Sequence, residues 1–212
     1  TSNITIARSP LPQAGQALPR PPLKKGGRAP LTAKLGPRAK VMPVGDAVRA
    51  AEIVVLAIWF DAIKELLAAD RTAFSGKIVV DPSNPIAPDG KGGFKKTIAE
   101  DQSSGVIIAG LLPGDAKLVK TFGTLGAQSL ANGANCAPEP AVLFYATDSP
   151  EAGRAVAKLI VASGFSPFDV GGIDQSIRIE VGGDLHEFGK VGKLVSATEA
   201  EHLLGGQVHR AG

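Results

Sequence analysis

The residues with the clearest chemical potential form the run Asp81-Pro82-Ser83-Asn84-Pro85-Ile86. Asn84 carries two amide donors and an acceptor, and nearby prolines restrict the backbone around it, so it can present a rigid polar group to a ribose or a carboxamide. The same residue type also makes ordinary turns, and residue type alone leaves the two readings level. Trp59, the single tryptophan, directly follows an apolar run and is placed either to cover a ligand ring or to pack against the chain. Lys120, Thr121 and Thr124 stand at the end of another such run, where a substrate can meet them, although a lysine there is more often a solvated charge. His186, His202 and His209 lack metal-ligand spacing, and no G-x-S-x-G elbow exists, so neither a metal site nor that hydrolase chemistry is expected. Cys136 is the single cysteine and cannot form an internal disulfide.

These groups need a scaffold that brings strand ends together. Ile53–Ile58 and Lys77–Asp81 are apolar without alternation through most of their length, as strands buried on both faces are. Asn3–Ala7, Lys117–Phe122, Ala141–Ala146 and Ser166–Val170 read as further strands, with Lys40–Val44 a short extended piece. Helices are predicted from an Asp46 cap through Glu52, over Phe60–Ala69 with Ile63, Leu66 and Leu67 on one side, over Thr97–Gln102, and briefly after a turn at Gly123–Gly126. Another opens at Ser149-Pro150-Glu151, runs to about Ser163 and ends at Gly164. Residues 82–93 read as loop, 103–112 stay open, and the tail from Asp174 is mixed, with His186 and His202 in a region compatible with helix and 205–212 frayed. Strands alternating with helices imply an α/β fold with a mostly parallel sheet and right-handed crossovers. Ligands of such sheets bind beyond the carboxyl ends of the strands, which singles out Ala57–Asp61, Asp81–Pro88 and Phe122–Gly126.

The 212 residues, 44% hydrophobic and 5% aromatic, suit one compact domain, or one with a small companion, whose core is built from Val, Ile, Leu and Ala. No apolar run approaches the roughly 18 residues of a bilayer span, and no basic segment leads into an apolar signal core. Together with the lone cysteine this predicts a cytoplasmic protein with no membrane association, and the absence of an initial methionine predicts a few residues missing or removed before Thr1. The net charge of +3 is uneven: eight basic residues and no acid precede Asp46, so the remainder carries −5. The same arm holds Pro10, Pro12, Pro19, Pro21, Pro22, Pro30, Pro37 and Pro43. Such an arm can contact nucleic acid or a partner, but without interleaved aromatics a nucleotide-anion site or solubility explains the charge better.

In combination, A-E-I-V-V-L-A-I-W-F-D-A-I (51–63), G-K-I-V-V-D-P-S-N-P-I (76–86), K-T-F-G-T-L (120–125), A-T-D-S-P-E-A (146–152) and F-D-V-G-G (168–172) carry a likeness. The chain resembles the bacterial and archaeal family of small NADP-dependent oxidoreductases, including those that exchange hydride between NADP and a deazaflavin. The likeness runs from about Leu35 to Leu204, and 174–189 looks like the tail of one bacterial branch. It implies a doubly wound Rossmann-like domain (1–136), a small C-terminal α/β part (137–212) packed on it, and a homodimer. It further implies NADP as cofactor, with NAD the alternative, and a deazaflavin, flavin or other small-molecule acceptor. In that chemistry the cofactor supplies the hydride and the protein supplies orientation, so no side-chain acid or base is required. The resemblance puts Ser9, Gly15, Gln16, Arg28, Ala57, Ile58, Trp59, Asn84 and Pro85 on the dinucleotide and Phe122 and Thr124 on the substrate. Where many members carry F-N-T, this chain has Phe122-Gly123-Thr124.

The sharp departure is at the start. Family members place G-x-G-x-x-G after the first strand; here the frame reads Pro10-Leu11-Pro12-Gln13-Ala14-Gly15. Pro19, Pro21 and Pro22 fall where a helix should follow, each costing about 3 kcal/mol inside one. Too little chain separates Gly27 from Val41 for a second strand and its helix. Local corruption of an otherwise coherent pattern predicts misassigned residues within 8–34 and a glycine-rich turn plus helix at about 15–25, which peptide mass spectrometry over 8–34 would test. If Pro10, Pro12, Pro19, Pro21 and Pro22 are confirmed, that prediction fails and dinucleotide binding is the first function to doubt. A Rossmann-type module without catalysis, or a basic arm for nucleic acid or a partner, are the competing readings.

Overall fold

The computed structural model describes residues 4–6 and 39–205. In chain order these give β1 (Ile4–Ile6), α1 (Val44–Ala50), β2 (Ile53–Val55), α2 (Phe60–Asp70) running into a 3-10 turn, and β3 (Ile78–Asp81). A hairpin of β4 (Ile86–Pro88) and β5 (Phe94–Lys96) follows, then α3 (Ser104–Leu111), β6 (Lys117–Lys120) and α4 (Ala127–Asn132). The chain continues through β7 (Val142–Tyr145), α5 (Pro150–Ala162), β8 (Ser166–Asp169), a 3-10 segment (Ile173–Ile179) and α6 (Ala197–Leu203). The expected α/β class with a mostly parallel sheet is what forms.

The main sheet is parallel throughout, in the order β1-β2-β3-β6. Its register aligns Val55 with Val80, Val80 with Val119, and Asp81 with Lys120, so β2, β3 and β6 end along one edge. Beyond that edge β7 and β8 pair parallel to each other, and one antiparallel bridge between Lys120 and Ala146 joins them to β6.

The unalternating apolar strands are explained by two cores, one on each face of the sheet. Val54, Val79 and Leu118 enter a core with Val48 of α1, Ile63 and Leu67 of α2 and Ile108 of α3. Their neighbours Ile53, Val80 and Val119 point the other way, into a core with Leu143 and Tyr145 of β7 and Val156 and Ile160 of α5. Each such side chain, fully buried, contributes about 1.5–3 kcal/mol. The second core contains residues from both sides of the 136/137 division. A third joins Val142, Phe144 and Phe168 to Leu185, Val195 and Ala200 of the C-terminal segment.

Helix α5 forms as its sequence predicts: Ser149 Oγ accepts Ala152 N–H at 3.3 Å, Pro150 takes the first turn, and Gly164, at φ 86°, follows the end. Other expectations need correction. Asp46 is not the cap of α1, which begins at Val44 after Pro43; it lies in the first turn, and Val44 belongs to the helix and not to the extended piece expected over 40–44. Strand β2 stops at Val55, where Ile58 N–H bonding Leu56 O turns the chain. The 82–93 stretch is not all loop: Asp89 Oδ1 accepts the N–H groups of Lys91 and Gly93 and closes the turn of the β4–β5 hairpin. Thr97–Gln102 is not helical; helix starts only at Ser104, where Ser103 supplies the cap. Strand β6 ends at Lys120, because Phe122 lies in the left-handed region at φ 64°. His186 lies in turns, whereas His202 is in α6.

Candidate active site

The carboxyl ends of β3 and β6 are tied by a buried ionic knot. Lys120 is 2% exposed, so its expected role as a solvated charge is wrong. Its ammonium bonds Asp81 Oδ2 at 2.7 Å, Ser104 Oγ at 2.9 Å and the carbonyl of Ser83. Asp81 is fully buried and accepts Ser83 N–H on its other oxygen. Glu180, from just beyond the 3-10 segment, lies 3.8 Å from the same ammonium. Its carboxylate takes both backbone and side-chain donors at the start of α3: Ser103 Oγ, Ser104 N–H, Ser104 Oγ and Gly105 N–H, at 2.8–3.0 Å. Those are donors that a helix leaves unsatisfied at its N-terminus.

Above the knot, residues 180–189 cross the same edge as a strap. Asn84 Nδ2 donates to Gly123 O at 2.9 Å, and Asn84 Oδ1 accepts Val181 N–H at 2.7 Å. His186 Nδ1 accepts Phe188 N–H, which leaves Nε2–H to donate to Gly123 O, each at 2.9 Å. The Glu187 carboxylate accepts Gly126 N–H and Ser129 Oγ–H at the start of α4, and Glu187 N–H bonds Thr124 O. Asn84, Gly123, Thr124 and the strap are therefore one braced unit.

Gly123 is required by space. A Cβ there would lie 2.4 Å from the carbonyl oxygen of Pro82, a backbone atom that cannot rotate away. The Gly123→Ala variant is therefore expected to lose about 1–3 kcal/mol, as overpacked sites do, read as a lowered midpoint in urea. An unchanged midpoint would show that the two loops part easily.

Burial lowers the pKa of His186, against the opposing pull of the Gly123 carbonyl and of Glu187 and Glu180. The native state thus resists a proton that the unfolded chain accepts at the ordinary imidazole value of about 6.5. Above that pH the residue adds no pH dependence; below it stability falls, by up to about 1.4 kcal/mol per pH unit, until the native imidazole also titrates. Urea melts at pH 7.5, 6 and 5 should show this slope in wild type and a shallower one in His186→Phe. Parallel slopes would refute the assignment.

Of the residues singled out in the sequence, Ala57 and Trp59 are exposed and Ile58 half-buried at the end of β2. Pro85 is buried, Asn84 half-buried and Phe122 half-buried. Thr124 is 2% exposed and its hydroxyl has no partner, as is true of Ser83. Asn84, a candidate contact to the ligand, is also part of the fold. Its two bonds give it a structural share, and Asn84→Ala should cost about 1–2 kcal/mol through the unpaired Val181 N–H. Ser9, Gly15, Gln16, Arg28, the helix expected at 15–25, the second strand and the basic arm apart from 4–6 and 39–45 lie outside the described residues. Sequence reading missed Glu180, Glu187 and the buried state of His186. A shallow pocket lined by Arg49, Asp70, Thr72, Ser75 and Lys77 lies at the opposite edge of the sheet, before β3. Among the described residues no three acidic, His or Cys side chains converge as metal ligands would, and no helix is long and apolar enough to cross a membrane.

Comparison with known proteins gives one family model and several relatives. The family model for "NADP oxidoreductase coenzyme F420-dependent" matches residues 23–85, which takes in β2 and the Asp81–Pro85 turn but starts after Pro10–Pro22. The solved structure of a hypothetical protein from Sinorhizobium meliloti is 31% identical, with a TM-score of 0.67 over 79% of this chain and 77% of that one. A candidate F420-dependent NADP reductase from an Arthrobacter species is 27% identical, with a TM-score of 0.60 over 68% and 66% of the two chains. The rat metalloreductase STEAP3 is 30% identical over 158 residues, which is 73% of this chain but only 30% of that protein.

Proposed function

This chain belongs to the coenzyme F420-dependent NADP oxidoreductase family, and on that premise we propose that it transfers hydride between NADP(H) and a flavin- or deazaflavin-like acceptor at the carboxyl edge of β2, β3 and β6. The observation that carries this reading is that edge itself: three parallel strands end in register, and the segments leaving them hold Trp59, Asn84 and Thr124, whose chemistry suits a nicotinamide and its acceptor. The donor set fits such a ring. Two buried hydroxyls, Ser83 and Thr124, are without partners and can serve a carboxamide after a small opening. Asn84 keeps one amide hydrogen and one lone pair beyond its two internal bonds.

The bound dinucleotide would supply the hydride; the chain's task is placement. Ala57, Ile58 and Trp59 would flank the cofactor, with the small Ala57 leaving room for close approach. The Lys120 knot fixes Ser83 and Asn84, and the strap fixes Gly123 and Thr124, so both loops are held near their places before a ligand arrives and need only that small opening. The N-termini of α3 and α4 are already occupied by Glu180 and Glu187. The phosphates must therefore be held elsewhere, on the side of β1 and β2.

Trp59 provides the test, since it is the single tryptophan and is 60% exposed at this edge. Titration with NADPH should quench its emission saturably at micromolar concentrations, and oxidation of NADPH should then follow on adding riboflavin phosphate. A second reading has one observation in its favour: the family match begins only at residue 23, past the prolines that replace the phosphate-binding glycines. A folded chain whose Trp59 emission ignores millimolar NADPH would establish that reading, a Rossmann-type module without dinucleotide chemistry, and end the first.

A further inference from the structure

We propose that Phe188 is the platform on which the acceptor's planar ring stacks, an inference that rests on the hydride-transfer reading of this edge. Phe188 is 65% exposed, more than Trp59, Phe94 or any other large apolar side chain described as exposed. Its backbone is nevertheless clamped. Its N–H donates to His186 Nδ1, and its ring lies 5.6 Å from the His186 ring, tilted by 42°. Glu187, the preceding residue, is fixed to the β6–α4 turn by its carboxylate on Gly126 N–H and Ser129 Oγ–H and by its own N–H on Thr124 O.

The ring rests directly on that turn. A Cβ built on Gly126 would come within 2.8 Å of Phe188 Cζ, so the absence of a side chain at 126 is what lets the ring lie there. Holding an aromatic ring in one place while most of it faces water costs side-chain entropy and gains little burial. The arrangement makes sense when the free face is covered by something flat. Aromatic rings are favoured partners for such a surface, and the position decides which ring. Phe188 lies against Gly126, and Glu187 before it bonds Thr124 O, one turn beyond β6 and on the side that the hydride-transfer reading gives to the acceptor, whereas Ala57–Trp59 leave β2. The occupant is thus the acceptor's fused ring system, not the dinucleotide.

Riboflavin, whose emission anisotropy rises when it is held by a protein, is the probe. Wild type should raise it saturably. Phe188→Ala should weaken that binding about tenfold or more, Phe188→Tyr should restore it, and the NADPH affinity read from Trp59 should be the same in all three. The idea is overturned if Phe188→Ala binds riboflavin as wild type does, or if wild type binds NADPH but no riboflavin. It is also overturned if sedimentation shows a wild-type dimer that Phe188→Ala makes monomeric, since the ring would then be covered by a second copy of the chain. Loss of NADPH binding in wild type would instead fail the hydride-transfer reading, with the riboflavin comparison still reporting on Phe188.

Discussion

Replacing Lys120 by methionine is expected to lower the unfolding free energy by about 3–5 kcal/mol, the usual cost of removing one partner from a buried ion pair. Methionine nearly matches the lysine stem in length, so packing is roughly kept and the loss is electrostatic. Asp81 and Glu180, 0% and 2% exposed, would face each other without a cation. The carbonyl of Ser83 would also lose its donor. The measurement is a urea melt of Lys120→Met beside Lys120→Met/Asp81→Asn/Glu180→Gln. The triple variant, which removes the stranded charges together, should recover at least half of the loss. If the single variant unfolds at the wild-type urea concentration, the knot is not what closes this edge.

That knot shows where the sequence was readable and where it was not. The strands were legible because two cores, one per face, demand apolar residues at consecutive positions, and I-V-V-L and I-V-V can hardly be anything else. Helix α5 was legible because Ser149, Pro150 and Gly164 each have one cheap place to sit. Helix α3 was not. S-G-V-I-I-A-G-L carries two glycines and no charge, so its own propensity is poor. It forms because Glu180, 76 residues away in sequence, satisfies its first N–H groups. No local rule contains that partner. Thr97–Gln102, with better local chemistry, has no such partner and stays irregular.

The site divides in the same manner. Its position at the strand ends, and Asn84, Phe122 and Thr124 within it, followed from topology and from the family likeness. The true state of Lys120 had a signal that went unused: Asp81 and Lys120 each close an apolar run, and adjacent parallel strands in register put them side by side. Two opposite charges ending two buried strands are better read as a pair than as solvated ends. His186 and Glu187 offered no comparable signal, because turns fix their directions and turn geometry over 180–189 is not encoded by periodicity.

Glu180→Ala is expected to cost about 2–4 kcal/mol and, unlike a simple core defect, to damage the edge proposed to bind the ligand as well. The carboxylate serves two demands at once. It neutralises part of the Lys120 charge, and it accepts the donors that open α3, where an anion is further favoured by the helix dipole. Alanine removes both, so the start of α3 should fray and the strap should lose its anchor beside Val181, whose N–H holds Asn84 Oδ1. Glu180→Gln separates the two demands. Its amide oxygen can still accept from Ser104 and Gly105, but it brings no charge to Lys120, so its cost should fall well below that of alanine if capping dominates and match it if the ion pair dominates. Hydrogen exchange then locates the damage. In Glu180→Ala the amides of Ser104, Gly105 and Val181 should exchange at least tenfold faster than in wild type, while those of Val79 and Val119 in the sheet should slow or hasten only with global stability. Protection at Ser104 and Gly105 that survives the substitution would mean that α3 stands on Ser103 alone, and that the C-terminal strap is a passenger on this edge.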